Sequence, residues 1–103
     1  MVSEKESRLS RLYEQLRHQA GKRPGQVQRC PLPGGARMSL TVQAGRAMLV
    51  FARRGKRLGD TELITFRAHC EVPERARRVP EQGQTEREGG WFIVAYVWEG
   101  EAL

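Results

Sequence analysis

The chain has 103 residues, enough for one domain with a single modest core. Its hydrophobic fraction of 39% and charged fraction of 29% exclude a disordered tail, and the longest apolar run, residues 91–98, is too short to span a bilayer. The net charge of +6 is uneven: residues 1–37 carry +5, residues 38–60 carry +4 and residues 61–103 carry −3. Such an asymmetry favours an anionic partner on one side of the molecule, nucleic acid ahead of a membrane.

The first ten residues, MVSEKESRLS, contain acids and no apolar stretch. No secretion signal is expected, and the cytoplasm is the expected compartment. Residues 1–21 read as a helix. Ser3 and Glu6 form a capping-box pattern, and Leu9, Leu12, Tyr13, Leu16 and Ala20 recur at helical spacing. Gly21, Pro24 and Gly25 stop it.

Residues 22–37 read as a basic, Pro- and Gly-rich loop whose Lys22, Arg23, Arg29 and Arg37 face no acid. A three-strand meander is expected over 38–72. Met38, Leu40 and Val42 alternate with polar residues, and Ala44-Gly45 suits a tight turn. Residues 46–53, RAMLVFAR, are apolar at consecutive positions, as in a strand covered on both faces. A second turn over 55–60 then leads to TELITFRAHCEV, where Ile64, Phe66, Ala68, Cys70 and Val72 alternate as a third strand.

Residues 73–90 read as a long connection. Within it PERARRVP offers a turn or two of helix, and EQGQTEREGG a polar loop. Residues 91–99, WFIVAYVWE, form the final strand. The expected architecture is α+β: an N-terminal helix on one face of a four-stranded, mainly antiparallel sheet.

One helix covers one face, yet the final strand is apolar on both. Either Trp91, Ile93, Ala95 and Val97 meet the helix, or Phe92, Val94, Tyr96 and Trp98 do. The remaining face must close on itself, pair with a partner, or stack on bases. Phe92, Tyr96 and Trp98 are the candidate stacking or interface residues.

The stretch FARRGKRLGD places Arg53, Arg54, Lys56 and Arg57 around Gly55 as a basic hairpin. Arginine offers planar paired donors to phosphate, and lysine a point charge. With Lys22, Arg23, Arg29 and Arg37 they form the expected nucleic-acid contact set. Cys30 and Cys70 are expected as free thiols. The histidines and cysteines lack metal-ligand spacing, and no catalytic or phosphate-loop pattern occurs, so no metal, cofactor or enzyme activity is expected. The polar side of the first helix carries both signs of charge, so no membrane association is expected. Two functions compete: nucleic-acid binding without catalysis, and a protein-interaction module that works as a homodimer or as an accessory subunit of a larger complex.

Overall fold

The computed structural model describes residues 4–100. Two helices lie on one face of a single antiparallel sheet. The elements are α1 (Glu4–Lys22), β1 (Gln28–Pro31), β2 (Ala36–Gln43), β3 (Arg46–Arg54), α2 (Asp60–His69), β4 (Arg77–Val79), β5 (Thr85–Arg87) and β6 (Trp91–Glu99), with one 3-10 turn at Pro33–Gly35. The strands run in the order β1-β2-β3-β6-β4. β5 also pairs with β6, running in the same direction as β4 but farther along. Together they make one edge strand interrupted at residues 80–84.

The α+β class stands, with six strands in place of four. α1 forms where the apolar stripe predicts it, burying Leu9, Tyr13, Leu16 and Ala20. The Ser3 cap lies outside the described residues. Ala44 and Gly45 make the expected turn between β2 and β3, both at positive φ (51° and 75°). That is the geometry a two-residue hairpin requires, and glycine adopts it without steric cost. The basic loop is less loose than expected, because residues 28–31 add β1 to the edge of β2.

Residues 60–69 are helical, which corrects the expected third strand. Glu62 accepts a hydrogen bond from the Gly59 N–H (3.0 Å), satisfying one donor at the start of α2, and Asp60 also favours that end of the dipole. Leu63, Phe66 and Cys70 are buried at spacings of three and four, while Ile64, which the alternation would have placed inside, is 70% exposed. Residues 73–80 hold β4 rather than a turn of helix, and the polar loop that follows contains β5.

The core lies between the helices and one face of the sheet. Cross-strand rows Met38–Phe51–Val94, Leu40–Leu49–Tyr96 and Val42–Ala47–Trp98 floor it. Phe66 stacks on Phe51 at 5.1 Å, and Tyr96 meets Phe51 edge-on at 6.1 Å. Leu58, between β3 and α2, is buried, and the Gln84 side chain bonds both its N–H (2.9 Å) and its C=O (2.6 Å).

Candidate nucleic-acid interface

Side chains alternate across a strand, so the register decides which cations share a face. Every second residue of β3 from Ala47 faces the helices, and Arg53 is in phase with that set. It is 7% exposed, and both terminal guanidinium nitrogens pair with the Glu62 carboxylate, Nη1 to Oε1 at 2.6 Å and Nη2 to Oε2. The hydrogen bonds from Arg53 hold the Glu62 carboxyl below its ordinary range, and the same bonds raise the Arg53 pKa further. Arg53 therefore ties β3 to the start of α2 and is not available to a phosphate.

The remaining expected contacts divide by position. Lys22 ends α1 and Arg23 follows it, beside the β2–β3 turn, where the Gly25 N–H donates to the Val42 carbonyl (2.8 Å). Lys56 and Arg57 lie past the other end of β3, about 26 Å away along the nine-residue strand. The expected contact set is thus split, with Lys22 and Arg23 at one end of the sheet and Lys56 and Arg57 at the other, and residues 55–59 join a strand to a helix instead of closing a hairpin. Arg29, Arg37 and Arg54, in contrast, are exposed on the face that no helix covers.

The aromatic candidates require a correction as well. Phe92, Val94, Tyr96 and Trp98 point toward the helices, because Val94, Tyr96 and Trp98 pair with the inward residues Phe51, Leu49 and Ala47. Tyr96 and Trp98 are 4% and 3% exposed and cannot stack on an incoming base. Phe92 is half-buried, with the Arg57 guanidinium 5.4 Å from its ring centre.

The uncovered face carries Trp91, Ile93, Ala95 and Val97 from β6 and Met48, Val50 and Ala52 from β3, all at least partly exposed. Exposed arginines surround this apolar centre. Arg29, Arg37 and Arg54 are joined by Arg46, Arg77 and Arg87, which sequence reading left out. The signal for Arg46 was present, since it is in phase with Arg54. Arg77 and Arg87 belong to strands of three residues, too short to show a period. Among the described strand residues of this face one carboxylate, Glu99, is in phase with the arginines, and it lies 4.0 Å from Arg46. Among the described residues no carboxylate forms an ion pair with the other five arginines.

Arg37 is opposite Ala52, whose small side chain lets the guanidinium reach across β3 and rest 4.3 Å from the Trp91 ring centre. The turn before Trp91 is clasped by β3: the Arg54 Nε donates to the Gly89 carbonyl (3.0 Å) and the Gly55 N–H to the Gly90 carbonyl (2.7 Å). A shallow hollow of about 190 Å³ opens here between Arg29, Arg37, Ser39, Trp91 and Ile93. A larger one, about 560 Å³, lies at the far end between Thr41, Arg46, Met48, Val97 and Glu99.

Among the described residues no three His, Cys, Asp or Glu side chains are grouped to hold a metal ion, and no helix is long and apolar enough to cross a membrane. Both cysteines are unpaired; burial pushes the Cys70 thiol up to about 12 and raises that of Cys30 in the same direction. No family model matches the sequence, and no curated protein and no solved structure matches it.

Proposed function

We propose that this chain binds nucleic acid through the open face of its sheet and catalyses no reaction. The observation that carries the reading is the charge of that face, whose described strand residues set six exposed arginines against one carboxylate around an apolar centre. Arg29, Arg37 and Arg54 contact phosphates, with Arg46, Arg77 and Arg87 beside them. Lys22, Arg23, Lys56 and Arg57 add to the long-range field that steers a polyanion inward. Two unpaired thiols suit a cytoplasmic setting.

The apolar centre favours a second reading, a protein-interaction module. Its homodimeric form is opposed by charge: a two-fold interface sets a surface against itself, and here six arginines would meet six. An accessory subunit with an acidic partner remains the competing form.

The test is binding to labelled oligonucleotides across a salt series. Neutralising four to six phosphates on a single strand lowers affinity roughly 50- to 300-fold between 50 and 200 mM salt. Binding that is absent at 50 mM salt, or insensitive to salt, overturns the proposal. Light scattering addresses the homodimeric form: a monomer is expected at physiological salt, and a dimer that dissociates on Val50→Glu would overturn the charge argument.

A further inference from the structure

The open face has a direction. Arg29 on β1 is level with Ser39, Arg37 on β2 with Ala52, and Arg54 on β3 with Trp91. Each step from Arg29 to Arg37 to Arg54 crosses one strand and advances two residues. The three arginines therefore form a diagonal with about 8 Å between successive Cα atoms. The diagonal ends beside Trp91, and Arg87 is level with Trp91 on the next strand. The aliphatic residues Val50, Ile93, Ala95 and Val97 occupy the ground below this line.

A duplex matches only part of this surface. It offers phosphates on a convex cylinder and keeps its bases stacked inside, so its hydrophilic backbone would lie against the aliphatic centre. Among the described residues no helix or two-stranded ribbon projects from the face to enter a groove. A single strand satisfies both parts, because its phosphates can follow the cations while its unstacked bases turn onto the sheet. The carboxylates of an acidic polypeptide would match the arginines but offer no flat surface for the Arg37–Trp91 pair.

Resting on the nucleic-acid reading above, we infer that the occupant is a single strand, its phosphates following Arg29, Arg37 and Arg54 and one base stacking on the Arg37–Trp91 pair. Arg37 has two parts to play. Its guanidinium carbon lies 4.3 Å from the indole ring centre, and a guanidinium packed there still has N–H groups to offer a phosphate or base edge. The clasped turn at Gly89 and Gly90 holds Trp91 in place before any ligand arrives.

The experiment compares a 15-nucleotide thymidine oligomer with a duplex of equal length, by anisotropy and by tryptophan emission, at 50 mM salt. Trp98 is buried, so quenching on binding reports Trp91. The single strand is expected to bind at least ten-fold more tightly and to quench the emission. Trp91→Leu should weaken single-strand binding about five-fold or more, leave duplex binding unchanged and abolish the quench. Trp91→Phe should restore most of the affinity. Arg29→Gln and Arg54→Gln should each lower the slope of log affinity against log salt by about 0.7, and Arg11→Gln, at an exposed position on α1, should leave the slope unchanged. Circular dichroism establishes that each variant is folded, and Arg37→Gln serves as a second probe of the stack if Trp91→Leu is not. Equal or tighter duplex binding, or no effect at Trp91 and Arg37, overturns this inference and leaves the broader reading intact. Failure of both oligonucleotides to bind overturns both. Displacement of a bound oligomer by poly-glutamate at lower charge concentration than by poly-thymidine also overturns the inference and assigns the face to an acidic polypeptide.

Discussion

Removing the carboxylate from Glu62 separates a structural role for Arg53 from a phosphate-binding one. The pair is enclosed, with side chains 9% and 26% exposed, and its geometry is bidentate. Glu62→Ala leaves a guanidinium inside the fold without its counter-charge and frees the Gly59 N–H. Loss of one partner of a fully buried pair costs about 3–5 kcal/mol, and the partial exposure of Glu62 puts this case near 3 kcal/mol. For a domain of about 100 residues that is a fall in Tm of roughly 12–18 °C. Replacing both partners with apolar residues, Arg53→Met with Glu62→Leu, removes the unpaired charge and should return stability to within about 1 kcal/mol of wild type. Urea denaturation and thermal melts measure all three proteins. The pH dependence adds an independent sign. Glu62 is held below the ordinary glutamate value of 4.5, so the unfolded chain takes up its proton first as pH falls. The stabilisation is complete above that value and is lost as pH drops through the lower, folded one. Wild type should therefore lose stability below pH 4.5 more steeply than Glu62→Ala. A single variant within about 0.5 kcal/mol of wild type, or a double variant that stays folded but binds oligonucleotide as poorly as Arg54→Gln, refutes the structural assignment.

Three further outcomes follow from the fold. Ala44 holds a positive φ that alanine adopts at a cost of about 1–2 kcal/mol, and Ala44→Asn should raise Tm by a few degrees because asparagine tolerates that geometry in a two-residue hairpin. Phe66→Ala removes the ring stacked on Phe51 and should cost about 3–5 kcal/mol, measured by chemical denaturation; a loss under about 1 kcal/mol would mean that α2 does not depend on this contact. With the Cys70 thiol at about 12 and Cys30 also raised, native protein at pH 8 should react slowly with a disulfide reagent, and urea should release both thiols at an ordinary rate. Fast reaction of two thiols in the native state would contradict that burial.

Much of the frame is legible in the residues. The stripe Leu9, Tyr13, Leu16, Ala20 specifies α1, and the alternation of Met38, Leu40 and Val42 specifies β2 with its inward face. The helix α2 was hidden because TELITFRAHCEV satisfies two periods at once. Its β-branched residues and alternating polarity suit a strand, whereas Gly59 and Glu62 at its start and Leu63, Phe66 and Cys70 within it suit a helix, and tertiary packing decided between them. β4 and β5 are three residues each and mostly polar, so no pattern marks them. The basic face was legible as charge but not as a surface. Arg53 and Arg54 are neighbours in sequence yet point to opposite sides of the sheet, one into the core and one outward. The apolar final strand posed a choice between two faces that only pairing with β3 resolves.

The broken edge formed by β4 and β5 bears on how copies of this protein can meet. A sheet extends sideways when it presents a long run of unpaired amides and carbonyls. On one flank that run is cut at residues 80–84, and on the other it is four residues long and ends in Pro31, which has no amide hydrogen to offer. Neither margin is a template for adding strands, so ribbon growth into fibrils is discouraged at both sides even though a broad apolar surface remains uncovered.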